Sequence, residues 1–154
     1  MDTVRVRWVE QRQFVGWDEE GHGVVMDGAA AGAGEGTGVR PLELLLYGLA
    51  GCTAMDVVNV LEKKRLDVRG VEITVTGEQR MDDYPHYYRE IALEYVVTGV
   101  GIPDAAVARA IELSETKYCS VKGTLGPQVR ITTSFRVVDP PEPGPRARAG
   151  EQGA

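Results

Sequence analysis

Apolar and polar side chains alternate along the first part of the chain. Val4 to Val9 alternates apolar with charged residues, and two short apolar stretches follow, Phe14 to Trp17 and Val24 to Met26. Glu-Gly and Asp-Gly dipeptides, which favour turns, interrupt these stretches. The pattern predicts a meander of three short strands.

A segment rich in glycine and alanine follows, from Asp27 to Gly38. Ordering so many glycines costs backbone entropy, so the composition predicts a flexible loop that serves as a linker or as a lid over a site. The segment lacks the Gly-Lys-Ser/Thr ending of a phosphate-binding loop. A phosphate site is therefore not expected here.

A long helix is predicted from Pro41 to about Leu66. Proline suits the first turn because its missing N–H would have no partner within the helix. Apolar residues cover nearly the whole circumference of this helix, which is typical of a helix buried on all sides. A chain of 154 residues rarely covers such a helix alone, so we expect a second subunit and a homodimer.

The second half of the chain again alternates in the strand pattern. Val71 to Thr76 and Ile91 to Thr98 predict an antiparallel pair. A second helix is predicted to begin at Pro103 and to end beside Cys119, and Val129 to Val138 predicts a closing strand.

This order of elements predicts an α+β protein with one domain over residues 1–138. The 43% hydrophobic fraction is enough for one packed core. Residues 139–154 consist of proline, glycine, alanine and charged or polar residues, and we expect them to form a disordered tail.

The formal net charge of −6 changes the list of expected partners. Nucleic acids and anionic lipids both require a basic surface, so we expect neither of them to bind. No uninterrupted apolar run approaches the roughly 20 residues that cross a bilayer, and the N-terminus lacks the apolar core of a signal peptide. We therefore expect a cytoplasmic protein that acts on small molecules or proteins.

The cysteine inventory is small. Cys52 and Cys119 are the two cysteines of the chain, and 66 residues separate them. This spacing fits neither a disulfide-rich secreted scaffold nor the close cysteine pairs of zinc sites, and the histidines, His22 and His86, are not placed as ligands. We expect no metal and no cofactor.

Two thiols in one chain are compatible with redox chemistry. A thiolate attacks a peroxide to give a sulfenic acid, and a second thiol can close a disulfide with it. A free cysteine in an apolar helix is also a common packing residue, so the residues alone leave both interpretations open. Asp56 lies one helical turn after Cys52, where its charge would raise the pKa of the thiol unless a cation neutralises it.

The context of both cysteines resembles the osmotically inducible protein C and organic hydroperoxide resistance (OsmC/Ohr) family, and most closely its OsmC-like branch. The resemblance lies in Pro41 to Leu46, Gly51 to Val58 and Lys117 to Val121, and it extends over nearly the whole chain before the tail. It implies antiparallel sheets wrapped around two long buried central helices in an intertwined homodimer.

The resemblance also implies an activity. It implies that Cys52 is the peroxidatic residue and Cys119 the resolving residue of a thiol peroxidase, which reduces organic hydroperoxides with the help of a thiol reductant. The alternative is a non-enzymatic binding module that holds an apolar ligand in the dimer-interface pocket, with the cysteines as lining residues.

The activating residues of the family match less well. Family enzymes carry a glutamate directly after the helix-starting proline, where this chain has Leu42, and Glu43 is one position late. One residue is about 100° around a helix, so Glu43 would point to a different face. Arg12 is the nearest candidate for the family's activating arginine, and Arg40 is the second.

Overall fold

The computed structural model of the protein describes residues 1–140. Three strands form the N-terminal sheet in the order β1 (Val4–Glu10), β2 (Gln13–Asp18) and β3 (Gly23–Met26), each antiparallel to its neighbour. This confirms the predicted meander. All seven residues of β1 are exposed in the single chain, including the large apolar side chains of Val4, Val6 and Trp8.

The glycine-rich segment has a defined path, where composition predicted a flexible loop. The buried carboxylate of Asp27 accepts hydrogen bonds from the backbone N–H groups of Gly28 (2.7 Å), Glu35 (3.2 Å) and Thr37 (3.0 Å), and from the Thr37 hydroxyl (2.7 Å). A Cβ on Gly34 would lie 2.3 Å from the Gly28 carbonyl oxygen, so the loop crosses itself where only glycine fits.

The long helix, α1 (Glu43–Lys63), is confirmed with ends slightly inside the predicted ones. Its buried side chains are spaced four apart and lie on one face: Leu49, Thr53, Val57 and Leu61. Tyr47 and Met55 are exposed on the opposite face, each with 64% of its surface accessible. The expected burial on all sides is therefore not reached within one chain.

Among residues 1–140, α1 is the helix that is long and apolar enough to cross a membrane by length and composition. Only 22% of its most apolar window is buried in the single chain. One face nevertheless packs into the core, and its polar side chains Thr53 and Asp56 form hydrogen bonds with other elements. Helix α1 is therefore a core helix on one face, and its opposite, apolar face is exposed in the single chain.

The second sheet contains β4 (Asp67–Gln79), β5 (Tyr88–Val100) and β6 (Arg130–Val138) in that order. The predicted antiparallel pairing of β4 with β5 is confirmed. The expectation of wholly antiparallel sheets is wrong for β6, which pairs parallel to β5. The helical segment between them returns the chain to the same end of the sheet, and such a crossover connection makes the next strand parallel.

The crossover consists of α2 (Asp104–Leu113), one π-helical turn (Ser114–Tyr118) and the short α3 (Ser120–Leu125). The predicted second helix corresponds to α2 and the π turn, and α3 was not predicted. Helices α1 and α2 pack against the buried side of β5, whose alternate residues form the centre of the core: Ile91, Leu93, Tyr95 and Val97.

The observed mixture of helices and two sheets confirms the α+β class. Asp139 and Pro140 follow β6 without regular structure. The remainder of the predicted disordered tail, residues 141–154, lies outside the described residues.

Candidate active site

The fold brings the two cysteines together. Cys52 lies in the middle of α1 and is half-buried, and Cys119 lies between the π turn and α3 and is buried. Their sulfur atoms and a carboxylate oxygen of Asp56 all lie within 4.8 Å of one another. Both thiols are free. A disulfide needs about 2.05 Å between its sulfurs, so a modest approach of the two side chains would close the bond.

Local structure around Cys119 fixes the position of its sulfur. The π turn ends with a hydrogen bond from the Cys119 N–H to the carbonyl of Ser114 (2.9 Å). The Cys119 sulfur then accepts a hydrogen bond from the N–H of Lys122 (3.4 Å) and caps the N-terminus of α3. Single π turns within helices often occur at functional sites.

The pKa of the Cys119 thiol is raised to about 11. Burial is the main cause of the rise, the Lys122 N–H opposes it, and the neighbouring Cys52 side chain adds to it. The thiol of Cys119 is therefore neutral at pH 7. The nearby lysines do not reverse this effect. Lys117 lies over the Tyr118 ring at 5.3 Å, and Lys122 pairs with Glu115 at 3.3 Å.

A chain of buried hydroxyl groups leads to Asp56. The Tyr95 hydroxyl lies 2.8 Å from the Thr53 hydroxyl, which lies 2.9 Å from the Ser114 hydroxyl, which in turn donates to Asp56 Oδ2 at 2.7 Å. A carboxylate only accepts, so the Ser114 proton points to Asp56 and the Ser114 oxygen accepts from Thr53. Tyr95 is then the donor at the far end.

This direction agrees with the ionisation of Tyr95. Burial raises the pKa of its hydroxyl to about 12, so the proton stays on the phenol at neutral pH. No sequence pattern pointed to Thr53, Tyr95 and Ser114 as a group, because they lie on three different elements. Asp56 was the member that helical spacing singled out, and its hydrogen-bond partner in the described residues is the Ser114 hydroxyl and not a cation.

A second carboxylate lies near Cys119. Glu115, in the π turn, pairs with Lys122 through one oxygen, while Oε1 is buried without a hydrogen-bond partner in the described part of the chain. Tyr95, Glu115 and Cys119 line a small space of about 10 Å³. This is about the room that one water molecule needs.

The other predicted site residues lie elsewhere in the single chain. Glu43 accepts three hydrogen bonds from Arg40, including its N–H (3.0 Å) and Nε (2.9 Å), and these bonds lower the pKa of the Glu43 carboxyl. Nine positions separate Glu43 from Cys52, which is about 13 Å along the helix and about half a turn around it. Glu43 therefore does not reach Cys52 within one chain.

Arg12 is exposed in the turn between β1 and β2 and donates to the Gln11 carbonyl at 3.2 Å. Arg40, the second candidate arginine, is occupied by Glu43. The structure thus brings Cys52 and Cys119 together, but leaves Glu43, Arg12 and Arg40 apart from them in the single chain. The activating roles of these three residues stay predictions.

Within residues 1–140, Cys52, Asp56 and Cys119 form a cluster that could hold a metal ion. Two thiolates and a carboxylate would offer three ligands to a soft divalent ion such as Zn²⁺. A structural zinc site normally has four protein ligands, and the raised pKa of Cys119 opposes the required thiolate. The expectation of no metal stays a prediction.

Comparison with known proteins agrees with this architecture. The family model described as OsmC-like protein matches residues 34–134. Protein YhfA of Escherichia coli K12 is 42% identical over 134 residues, which cover 87% of this chain and 96% of YhfA.

Solved structures share the fold. A hypothetical protein from Aquifex aeolicus is 28% identical, with a TM-score of 0.79 over 91% of this chain and 98% of that chain. The organic hydroperoxide resistance protein OhrB of Bacillus subtilis is 17% identical, with a TM-score of 0.63 over 88% of this chain and 98% of that chain, and shows likeness of fold. The family match and the identity to YhfA confirm the resemblance read in the cysteine motifs: the chain belongs to the OsmC-like protein family.

Proposed function

We propose that the protein is a thiol peroxidase that reduces organic hydroperoxides, with Cys52 as the attacking residue and Cys119 as the resolving residue. The family supports a role in hydroperoxide resistance. The observation that carries the proposal for this chain is the approach of two free sulfurs, on different elements, to within 4.8 Å. Two cysteines that served only as packing residues would not need neighbouring sulfur atoms, whereas a disulfide-forming pair does.

The proposed cycle has three steps. The Cys52 thiolate attacks one peroxide oxygen, forms an S–O bond and breaks the O–O bond, and the alkoxide that leaves takes up a proton to give an alcohol. The Cys119 thiol then attacks the sulfenic acid of Cys52, which gives a disulfide and water. An external dithiol, itself oxidised to a disulfide, returns both cysteines to thiols.

Uncovered apolar surfaces support a homodimer as the working form. Val4, Val6 and Trp8 on β1 and Tyr47 and Met55 on α1 are all exposed in the single chain. Large exposed apolar patches are typical of interfaces. A second copy that covers α1 would complete the burial that its apolar circumference predicts, and family members are typically homodimers.

Peroxide treatment of the reduced protein tests the proposed activity. One equivalent of cumene hydroperoxide should yield an intramolecular Cys52–Cys119 disulfide in mass spectra. The Cys119→Ser variant should instead accumulate a Cys52 sulfenic acid that dimedone traps, and Cys52→Ser should leave the peroxide intact. Two free thiols in the wild type after excess peroxide would refute the activity.

An apolar binding module is the second candidate, and one observation favours it. A cavity of about 290 Å³ opens between α1 and β4, lined mainly by apolar side chains: Leu46, Tyr47, Ala50, Ile73 and Val75, with Glu43. Helical geometry places Ala50 and Leu46 on a different side of α1 from Cys52. A ligand in this cavity would not need the thiols.

Cys52→Ser separates the two candidates. Binding of a fluorescent fatty acid should be the same in Cys52→Ser and in the wild type if the protein is a binding module. Loss of peroxide turnover in the variant, together with no fatty-acid binding in either protein, would favour the peroxidase.

A further inference from the structure

We propose that Asp56 accepts the proton of the Cys119 thiol when the Cys52–Cys119 disulfide closes, and that the hydroxyl chain of Tyr95, Thr53 and Ser114 holds its carboxylate in position. The inference rests on the proposed function and deepens it. It gives this chain a base at the thiol pair, which Glu43 of the same chain does not reach.

The position of the carboxylate carries the inference. An oxygen of Asp56 lies within 4.8 Å of both sulfurs, so a small side-chain movement suffices to bring the carboxylate into hydrogen-bond contact with the Cys119 thiol. Ser114 occupies Oδ2, and Oδ1 has no hydrogen-bond partner elsewhere in residues 1–140. The carboxylate is therefore anchored through one oxygen and keeps lone pairs free to accept a proton.

The chemistry of closure requires such a group. As the S–S bond forms, the Cys119 sulfur must lose its proton and the oxygen that leaves Cys52 must gain one. Burial keeps the Cys119 thiol neutral at pH 7, so few molecules carry a ready thiolate. Asp56 can take the proton from Cys119 and pass it to the departing hydroxide as water, which restores the carboxylate.

The hydroxyl chain gives the carboxylate a fixed orientation. Thr53 and Ser114 are almost fully buried, with 3% and 1% of their surfaces exposed, and Tyr95 is 1% exposed. Each donates to the next group along the chain, and the last proton points to Asp56. A buried, fully satisfied chain of this kind holds its end group rigidly.

Other ionisable groups surround Cys119 and bear on its proton. They are Cys52 and Asp56 on α1, Tyr95 on β5, Glu115 and Lys117 in the π turn, and Lys122 on α3. Glu115 is a weaker candidate because Lys122 pairs with it and because it lies outside the group of atoms within 4.8 Å. Tyr95 keeps its own proton at neutral pH.

Rapid-quench kinetics with mass spectrometry can separate the two chemical steps. In Asp56→Asn, formation of the Cys52 sulfenic acid should remain within about threefold of the wild type, because removing a nearby negative charge does not disfavour the thiolate. Disulfide closure at pH 7 should slow at least tenfold. Its rate should then rise about tenfold per pH unit, because hydroxide must remove the proton.

Three further variants distinguish catalysis from structure. Asp56→Glu should restore part of the rate of disulfide closure and should remove the roughly tenfold rise of that rate per pH unit. Ser114→Ala should slow closure without the new pH dependence, because it loosens the carboxylate without removing it. Glu62→Gln, an exposed acid on the same helix, should behave as the wild type.

A peroxide-free reaction keeps this inference separate from the activity. Ellman's reagent reacts with the Cys52 thiolate to give a mixed disulfide and releases one coloured aryl thiolate. Attack of Cys119 on the mixed disulfide forms the same Cys52–Cys119 disulfide and releases the second coloured thiolate, whose release is the measured signal. Slow release in Asp56→Asn would support the inference even if no peroxide is reduced. Release at the wild-type rate and with the wild-type pH profile, in a folded Asp56→Asn protein, would overturn it whatever the fate of the peroxidase proposal.

Discussion

Burial makes Cys119 a neutral thiol, and its pKa of about 11 has two consequences. Alkylation, which requires the thiolate, should be slow at pH 7. Folding stability should also respond to alkaline pH. The thiol ionises with a pKa of about 8.5 in the unfolded chain and of about 11 in the folded protein. The contribution of Cys119 to the free energy of unfolding is therefore complete below about pH 8.5. It is lost as the pH rises through the folded pKa.

We therefore predict that alkylation of Cys119 by iodoacetamide rises about tenfold per pH unit from pH 7 towards pH 11. The measurement is peptide mass spectrometry of the reduced protein across that range. In Cys52→Ser the rise should level off at lower pH, because Cys52 contributes to the raised pKa. Equal alkylation of Cys119 at pH 7 and pH 9 would contradict the prediction.

Asp27 organises the glycine-rich loop as an anion. Hydrogen bonds from Thr37, foremost its N–H and then its hydroxyl, lower the pKa of the Asp27 carboxyl below its ordinary value. The ionised carboxylate therefore stabilises the folded protein above about pH 4, and this stabilisation is lost as the pH falls through the lowered pKa of Asp27.

Asp27→Asn should loosen the loop, because the amide NH2 replaces one of the two accepting oxygens and the remaining oxygen lacks the charge that strengthens its hydrogen bonds. Amide hydrogen exchange between residues 28 and 37 should speed up at least severalfold, while exchange in β4 and β5 stays unchanged. Asp2→Asn, at the exposed N-terminus, is the control. Unchanged exchange in the loop would show that glycine packing alone fixes its path.

At the scale of elements, the Thr53 hydroxyl joins three parts of the fold. It lies on α1 and contacts Tyr95 on β5 and Ser114 at the start of the π turn. Removing one partner from a buried hydrogen bond leaves the others unsatisfied, which costs more than the bond itself contributes.

Thr53→Val, which keeps the side-chain shape, should lower the free energy of unfolding by about 1–3 kcal/mol. Urea denaturation provides the measurement. Thr74→Val, on the exposed side of β4, should change the stability by less than about 0.5 kcal/mol. Equal effects of the two substitutions would mean that the hydroxyl chain does not stabilise the fold.

At the scale of the whole molecule, two apolar surfaces are exposed in the single chain, one on β1 and one on α1. Tyr47, Gly51 and Met55 are spaced four apart and form one exposed stripe on α1, and a Cβ on Gly51 would meet nothing within 4 Å in the single chain. A small residue between two large ones leaves room for a neighbouring helix, and the matching helix of a second copy would fit this stripe.

Met55→Glu should convert the proposed dimer to a monomer, because the interface would have to bury an unpaired charge. Sedimentation equilibrium measures the change. Met81→Glu provides a matched control, since Met81 is 68% exposed and lies in the connection between β4 and β5, away from α1. A wild-type monomer, or a dimer that survives Met55→Glu, would exclude this interface.

The sequence alone determined much of the fold. Alternation predicted the N-terminal meander and the pairing of β4 with β5, and the proline at position 41 with the apolar run after it predicted α1, because these signals lie in short windows of the chain. Resemblance in the cysteine motifs identified the family. The direction of β6 was missed because it depends on where the crossover ends, which no local pattern records.

Tertiary structure decided the site. Cys52 and Cys119 are 67 positions apart, and only the packing of α1 against the crossover brings their sulfurs within 4.8 Å of each other and of Asp56. The chain of Tyr95, Thr53 and Ser114 exists because three elements meet, so it has no spacing in the sequence. Local patterns determine which residues enter a helix or a strand, whereas contacts between elements depend on how those elements pack.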